Sequence, residues 1–285
     1  MVTAGGLASG GEQGGYVGVR GLRIQHRTWL PAVDPIGVLV IAHGFAEHGG
    51  RYAHVAARLV AEGVAVRAAD HRGHGLSEGK RTSVVRFDDY VDDLTTVVEQ
   101  ARMEWPSRRL ILLGHSMGGL IALRLAVRAS VALDGLVVSA PAACPRDLSR
   151  LTLLAGRALS RLAPNTGVLR LPLNRISRDP AVVEAYNHDP LVFRTPIRAR
   201  LGAEMLTAMD LVEAGLPGLR TPLLVMQGTA DGLVDPGCGP HVYGRAGSAD
   251  KTLKMYDGLW HEIFNEPERD HVLDDLATWV RIHLV

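Results

Sequence analysis

The sequence predicts an α/β fold, a mostly parallel sheet of eight strands flanked by helices, with a helical cap inserted after the sixth strand. Two observations carry this. From residue 37 onward, short apolar runs alternate with amphipathic helical stretches, the rhythm of a parallel sheet covered on both faces. The connection after the sixth run is about eighty residues long, where a crossover of about a dozen would suffice.

The elements follow in order. Residues 1–15 hold six glycines and almost no apolar side chain, so they are expected to be a flexible tail. Residues 16–19 and 22–29 read as two antiparallel strands around a turn at Gly21. Residues 37–42, 64–69, 110–113 and 136–139 are buried strands, separated by helices at 52–62, 87–105 and 117–129. In the second of these helices Val91, Leu94 and Val98 share a face, the spacing of a helix laid on a core. After the long insertion come strands at 223–226 and 253–256 and a helix at 269–282. The expected organisation is a tail at 1–15, a core at 16–144 and 217–285, and a helical cap at 145–216, punctuated by Pro145, Pro180, Pro190 and Pro196.

Bulk properties exclude several classes. The 31 basic and 30 acidic side chains nearly cancel, so the clustered basic excess of a nucleic-acid binder is absent. Two cysteines, Cys144 and Cys238, are too few for a disulfide scaffold or a cysteine zinc site and are expected to be free thiols of a reducing compartment. The N-terminus has no basic region leading into an apolar run, so no signal peptide is expected. The apolar runs are too short to span a bilayer. A cytoplasmic protein is expected, with peripheral contact at a membrane or lipid surface left open.

The most informative stretch is Gly114-His115-Ser116-Met117-Gly118, a G-x-S-x-G pattern. It lies between an aliphatic strand and an amphipathic helix, the context in which such a serine sits on a sharp turn with its hydroxyl exposed. A serine hydroxyl attacks poorly until a base takes its proton. With this elbow, the acid and then the base follow on loops after later strands. Asp231 lies just past the strand at 223–226, and His261 just past the strand at 253–256. Asp235 and Asp257 are rival acids, but Asp235 precedes Pro236 as a helix-capping residue would, and Asp257 opens the turn carrying His261. The oxyanion donors expected are the N–H of Met117, after the nucleophile, and that of Phe45, in the loop after the third strand.

The run from His43 to Tyr52, the loop Asp70-His71-Arg72-Gly73-His74-Gly75, the elbow, and Tyr186-Asn187-His188-Asp189-Pro190 together resemble the monoacylglycerol lipase family. The resemblance covers residue 37 to the C-terminus. It implies the α/β-hydrolase fold, a triad of Ser116, Asp231 and His261, and an oxyanion hole at Phe45 and Met117. It also implies that Glu47, Arg51 and Tyr186 surround the glycerol end of the substrate, although Glu47 and Arg51 also read as an ion pair bracing their loop. The implied reaction is hydrolysis of a monoacylglycerol through an acyl-enzyme, with a small lipid ester as partner and no cofactor. A broader carboxylesterase, a lysophospholipase, an acyltransferase or a non-catalytic binding member of the fold are the alternatives.

Twelve histidines invite a metal site, but His43, His48, His71 and His74 sit on glycine-rich turns without a helix-borne pair or a cysteine partner, so no metal is expected. The segment 148–162 places Leu148, Leu151, Leu154, Ala155, Ala158, Leu159 and Leu162 on one helical face and Arg150, Arg157 and Arg161 off it. That face either packs over the site or meets lipid, and the two roles are compatible.

Overall fold

The computed structural model describes residues 11–144, 156 and 158–285. Its sheet has eight strands: β1 (Glu12–Val17), β2 (Arg23–Trp29), β3 (Gly37–Ala42), β4 (Val64–Ala69), β5 (Leu110–His115), β6 (Gly135–Ser139), β9 (Leu223–Gly228) and β10 (Lys251–Tyr256). Their order is β1-β2-β4-β3-β5-β6-β9-β10. The pairs β1–β2 and β2–β4 are antiparallel and the remainder parallel.

Every residue of β3, β4, β5, β6 and β9 is buried, and their side chains alternate between two cores. Val38, Val40, Leu110 and Leu112 face one side; Leu39, Ile41, Ile111 and Leu113 face the other. The first side is covered by α2 (Asp88–Glu104), α3 (Met117–Arg128) and α5 (Ala199–Gly215), and the second by α1 (Ala53–Ala61) and α7 (Arg269–Leu284). Each fully buried aliphatic side chain contributes about 1.5–3 kcal/mol, so this two-sided burial fixes the strand register, since a slip of one residue would exchange the two faces.

Three expectations give way. The tail reading of 1–15 fails over residues 12–15, because β1 pairs with β2 from Glu12↔Thr28 to Val17↔Arg23. Main-chain pairing needs no side chain, and the His26 ring lies over Gly14, where an added Cβ would come within 2.6 Å of it. Residues 1–10 lie outside the described residues. The free-thiol reading fails as well: Cys144 and Cys238 form a disulfide with Cα atoms 5.6 Å apart, and the reducing compartment inferred from free thiols loses its basis. The stretch between β6 and β9 is also not purely helical. Besides α4 (Pro180–His188) and α5 it holds a ribbon of β7 (Gly167–Leu169) and β8 (Ile197–Arg198).

Most of the amphipathic segment at 148–162 lies outside the described residues; within it Leu159 is half-buried and Leu162 is exposed. No described helix is long and apolar enough to cross a membrane.

Candidate active site

Strand β5 ends at His115 and α3 starts at Met117, leaving Ser116 alone on the turn at φ 54°, ψ −118°. A non-glycine residue held in such a conformation costs about 1–3 kcal/mol, and it persists only where its surroundings over-determine it. Here Ser116 N–H donates to Ser139 O at 2.9 Å, and Ser116 O accepts from Ala142 N–H at 3.0 Å. Residue 118 must be glycine for a steric reason, because a Cβ there would meet the Ala42 carbonyl oxygen at 2.1 Å. The elbow therefore packs directly against the end of β3, which carries the loop with Phe45.

The structure brings Ser116, His261 and Asp231 into one line. His261 Nε2 lies 2.9 Å from Ser116 Oγ, and His261 Nδ1 lies 2.8 Å from Asp231 Oδ2. With Nδ1–H donating to the carboxylate, Nε2 is left to accept the serine proton. Asp231 Oδ1 accepts from the N–H groups of Leu233 and Val234, and Gln227 Nε2 donates to Oδ2. Burial alone would raise the Asp231 carboxyl, but His261 and those two N–H groups outweigh it and hold it below its ordinary value. Burial would likewise lower His261, yet Asp231, with Glu262 and Glu47 beyond it, holds it above its ordinary value. The rival acids are elsewhere. Asp235 is exposed and accepts from Gly237 N–H, and Asp257 is exposed and bonds Thr229.

The loop carrying Phe45 is pinned on both sides. His43 Nδ1–H donates to Gly44 O, His71 Nε2–H donates to His43 O, and Phe193 N–H donates to Ala46 O. Gly44 lies close enough to the nucleophile that a Cβ on it would stand 3.3 Å from Ser116 Cβ. Met117 opens α3, so its N–H has no acceptor within the helix. The Phe45 and Met117 peptides thus flank Ser116 from β3 and α3.

Four buried histidines support this edge of the sheet as neutral rings. Burial pushes His71 and His115 down to about 3, His74 down to about 4, and His43 well below its ordinary value. Because these folded values lie below the unfolded value near 6.5, the unfolded chain takes up protons first as the pH falls. Stability is then complete above about pH 6.5 and is lost progressively below it, by about 2 kcal/mol at pH 5 for each of His71, His74 and His115. Urea unfolding between pH 8 and pH 5 should therefore show a falling midpoint. A midpoint unchanged at pH 5 would contradict the burial of neutral rings.

Glu47, Arg51 and Tyr186 also come together, and a fourth residue joins them. Arg51 bonds Glu47 Oε2 at 2.5 Å and both oxygens of Glu262 at 2.7 Å, and its guanidinium stacks 4.6 Å over the Tyr186 ring. Glu47 Oε1 accepts from Gly44 N–H at 2.6 Å and Tyr52 OH at 2.8 Å. Burial would raise Glu262, but Arg51 holds it well below its ordinary value. Glu262 lies outside the residues that the sequence patterns single out. The signal available was a carboxylate directly after His261 in a segment that runs on into apolar Ile263 and Phe264.

The family described as serine aminopeptidase, S33, matches residues 33–268. A monoacylglycerol lipase of Mycolicibacterium smegmatis is 40% identical over 270 residues, which are 94% of this chain and 96% of that protein. A monoglyceride lipase of Homo sapiens is 36% identical over 258 residues, 89% of this chain and 85% of its own length. Among solved structures, a monoacylglycerol lipase of Paleococcus ferrophilus superposes with a TM-score of 0.81 at 27% identity, covering 91% of this chain and 99% of that one.

Proposed function

The chain belongs to the monoacylglycerol lipase family within the serine aminopeptidase S33 hydrolases, and from that premise we propose that it hydrolyses monoacylglycerols to glycerol and a free fatty acid through an acyl-enzyme on Ser116. It is a carboxylic ester hydrolase. The observation that carries the reading is the unbroken relay from Ser116 Oγ through the His261 ring to Asp231, with bonds of 2.9 and 2.8 Å.

In the first step His261 Nε2 takes the Ser116 proton as Oγ attacks the ester carbonyl. The N–H groups of Phe45 and Met117 hold the oxygen that becomes negative, and Asp231 supports the imidazolium. His261 returns the proton to the leaving glycerol oxygen. In the second step it deprotonates water, which releases the fatty acid and restores Ser116. Glu47, Arg51 and Tyr186 wall the alcohol end in this reading. Because the Arg51 guanidinium is already held by two carboxylates, its part there is to shape that end. Partly buried Phe45, Leu206 and Val234 pack against the apolar core beside α3 and α5 and offer a path for one acyl chain. Exposed Leu162, Val168 and Leu169, in a stretch that also exposes Arg161 and Arg170, support peripheral contact of the cap with a lipid surface.

The test is a panel of mono-, di- and triacylglycerols with one acyl chain type, assayed below and above lipid aggregation. Monoacylglycerol should be cleaved about tenfold faster or more, the scale on which an apolar site discriminates between substrates of different size. Equal rates on triacylglycerol would leave only a serine esterase.

A further inference from the structure

Two loops must keep register for acyl transfer: the one after β3 that carries Phe45, and the one after β10 that carries His261. They come from sequence positions about two hundred residues apart, and no strand pairing joins β3 to β10. One ionic chain links them. From His261 the next residue is Glu262, which grips Arg51 with both oxygens; Arg51 grips Glu47, and Glu47 takes the N–H of Gly44, the residue before Phe45. Asn265 Nδ2 donates to Glu262 Oε2 and Tyr52 OH donates to Glu47 Oε1, so both carboxylates are held from a second side. Glu47 and Glu262 are almost wholly buried.

We propose that Glu262 is a positioning residue, which through Arg51 and Glu47 sets the oxyanion loop against the histidine loop and supplies a second negative charge beside the His261 imidazolium. The inference rests on the reading of Ser116 and His261 as nucleophile and base. A buried pair of one cation and one anion would brace the loops without a net field. This chain of contacts has one carboxylate more than it has cations, and one of its two carboxylates belongs to the residue that directly follows His261. Removing Glu262 takes away the partner that holds Arg51 with two oxygens and leaves a neutral Arg51–Glu47 pair. Among the described residues, the other charged or titratable groups around the ring are Asp231 from the β9 loop and His115 from the end of β5, its ring 4.8 Å away. The Arg175 side chain packs near Gly232, beside Asp231. Asp231 bonds the ring directly, and Glu262 acts on it through space.

The test compares wild type with Glu262→Gln and Glu262→Asp on a soluble p-nitrophenyl butyrate, measuring kcat, KM and the pH profile of kcat/KM. Activity requires neutral His261, so it falls as pH drops through the raised pKa of that ring. In Glu262→Gln the missing charge should move this acid limb to lower pH by on the order of one unit. Its plateau kcat should fall about 10- to 100-fold through the loosened oxyanion loop, with KM changed far less. Glu262→Asp keeps the charge, so its limb should stay at the wild-type pH even as its shorter reach lowers kcat. An unshifted limb in Glu262→Gln, or equal shifts in both variants, overturns the proposal. If the Gln variant does not fold, Glu47→Gln removes the same charge from the other end and should move the limb in the same direction; an unmoved limb there overturns it equally. Wild-type protein that fails to react with a fluorophosphonate would overturn the nucleophile reading and this inference together, whereas a labelled wild type with unshifted variants overturns the inference alone.

Discussion

Replacing Ser116 by alanine is expected to lower kcat for monoacylglycerol by about 10⁴- to 10⁶-fold, the range over which loss of a triad nucleophile acts in other serine hydrolases. The loss is chemical and not conformational. The Ser116 side chain bonds His261, while the backbone bonds that hold the turn run through its N–H and C=O to Ser139 and Ala142. Alanine keeps those bonds and adopts the same φ at similar strain, so the melting temperature should stay close to wild type. Turnover and thermal melting of the same preparation check both halves. Activity near wild type in a folded Ser116→Ala protein would remove the mechanism.

Asp231→Asn should cost about 10⁴-fold in kcat, because an amide no longer compensates the imidazolium and can present its NH2 to Nδ1, favouring the wrong tautomer. The carboxylate is built to stay ionised, with Leu233 and Val234 N–H groups on one oxygen and His261 on the other. Asp235→Asn should change kcat little, since exposed Asp235 only accepts from Gly237 N–H, which an asparagine oxygen also does. Steady-state kinetics of the two variants side by side decide the matter. The opposite ranking would transfer the acid role to Asp235.

What the sequence made legible follows from how local each signal is. Strands such as Leu110–His115 announce themselves because both faces are buried and every residue is constrained. The elbow is legible because its glycines and its strand–helix context are contiguous, and Asp231 and His261 because each stands just past the end of a strand. Elements that depend on a partner were harder to see. Strand Glu12–Val17 is glycine-rich and draws its order from main-chain pairing with β2, which leaves no apolar pattern. The Cys144–Cys238 bond spans 94 residues, so counting two cysteines gave no hint that the fold would bring them together. Helix α6 (Cys238–Arg245) leaves no clear pattern in the sequence because Gly239, Pro240 and Gly244 mask its periodicity. Glu262 reads as one more charged residue until folding sets it against Arg51, 211 positions away. For Glu47 and Arg51 the sequence allowed both a substrate contact and a brace; the bonds to Gly44, Tyr52 and Glu262 account for the brace.

The central claim is that Ser116 is the residue that becomes acylated. It is tested most directly by treating the purified protein with an alkyl fluorophosphonate, measuring the intact mass and mapping the adduct by peptide sequencing. The relay to His261 predicts a single adduct per chain, on the Ser116 Oγ, formed quickly in wild type, greatly slowed in Asp231→Asn and absent in Ser116→Ala. An unmodified wild-type chain, or an adduct on any residue other than Ser116, would contradict the account.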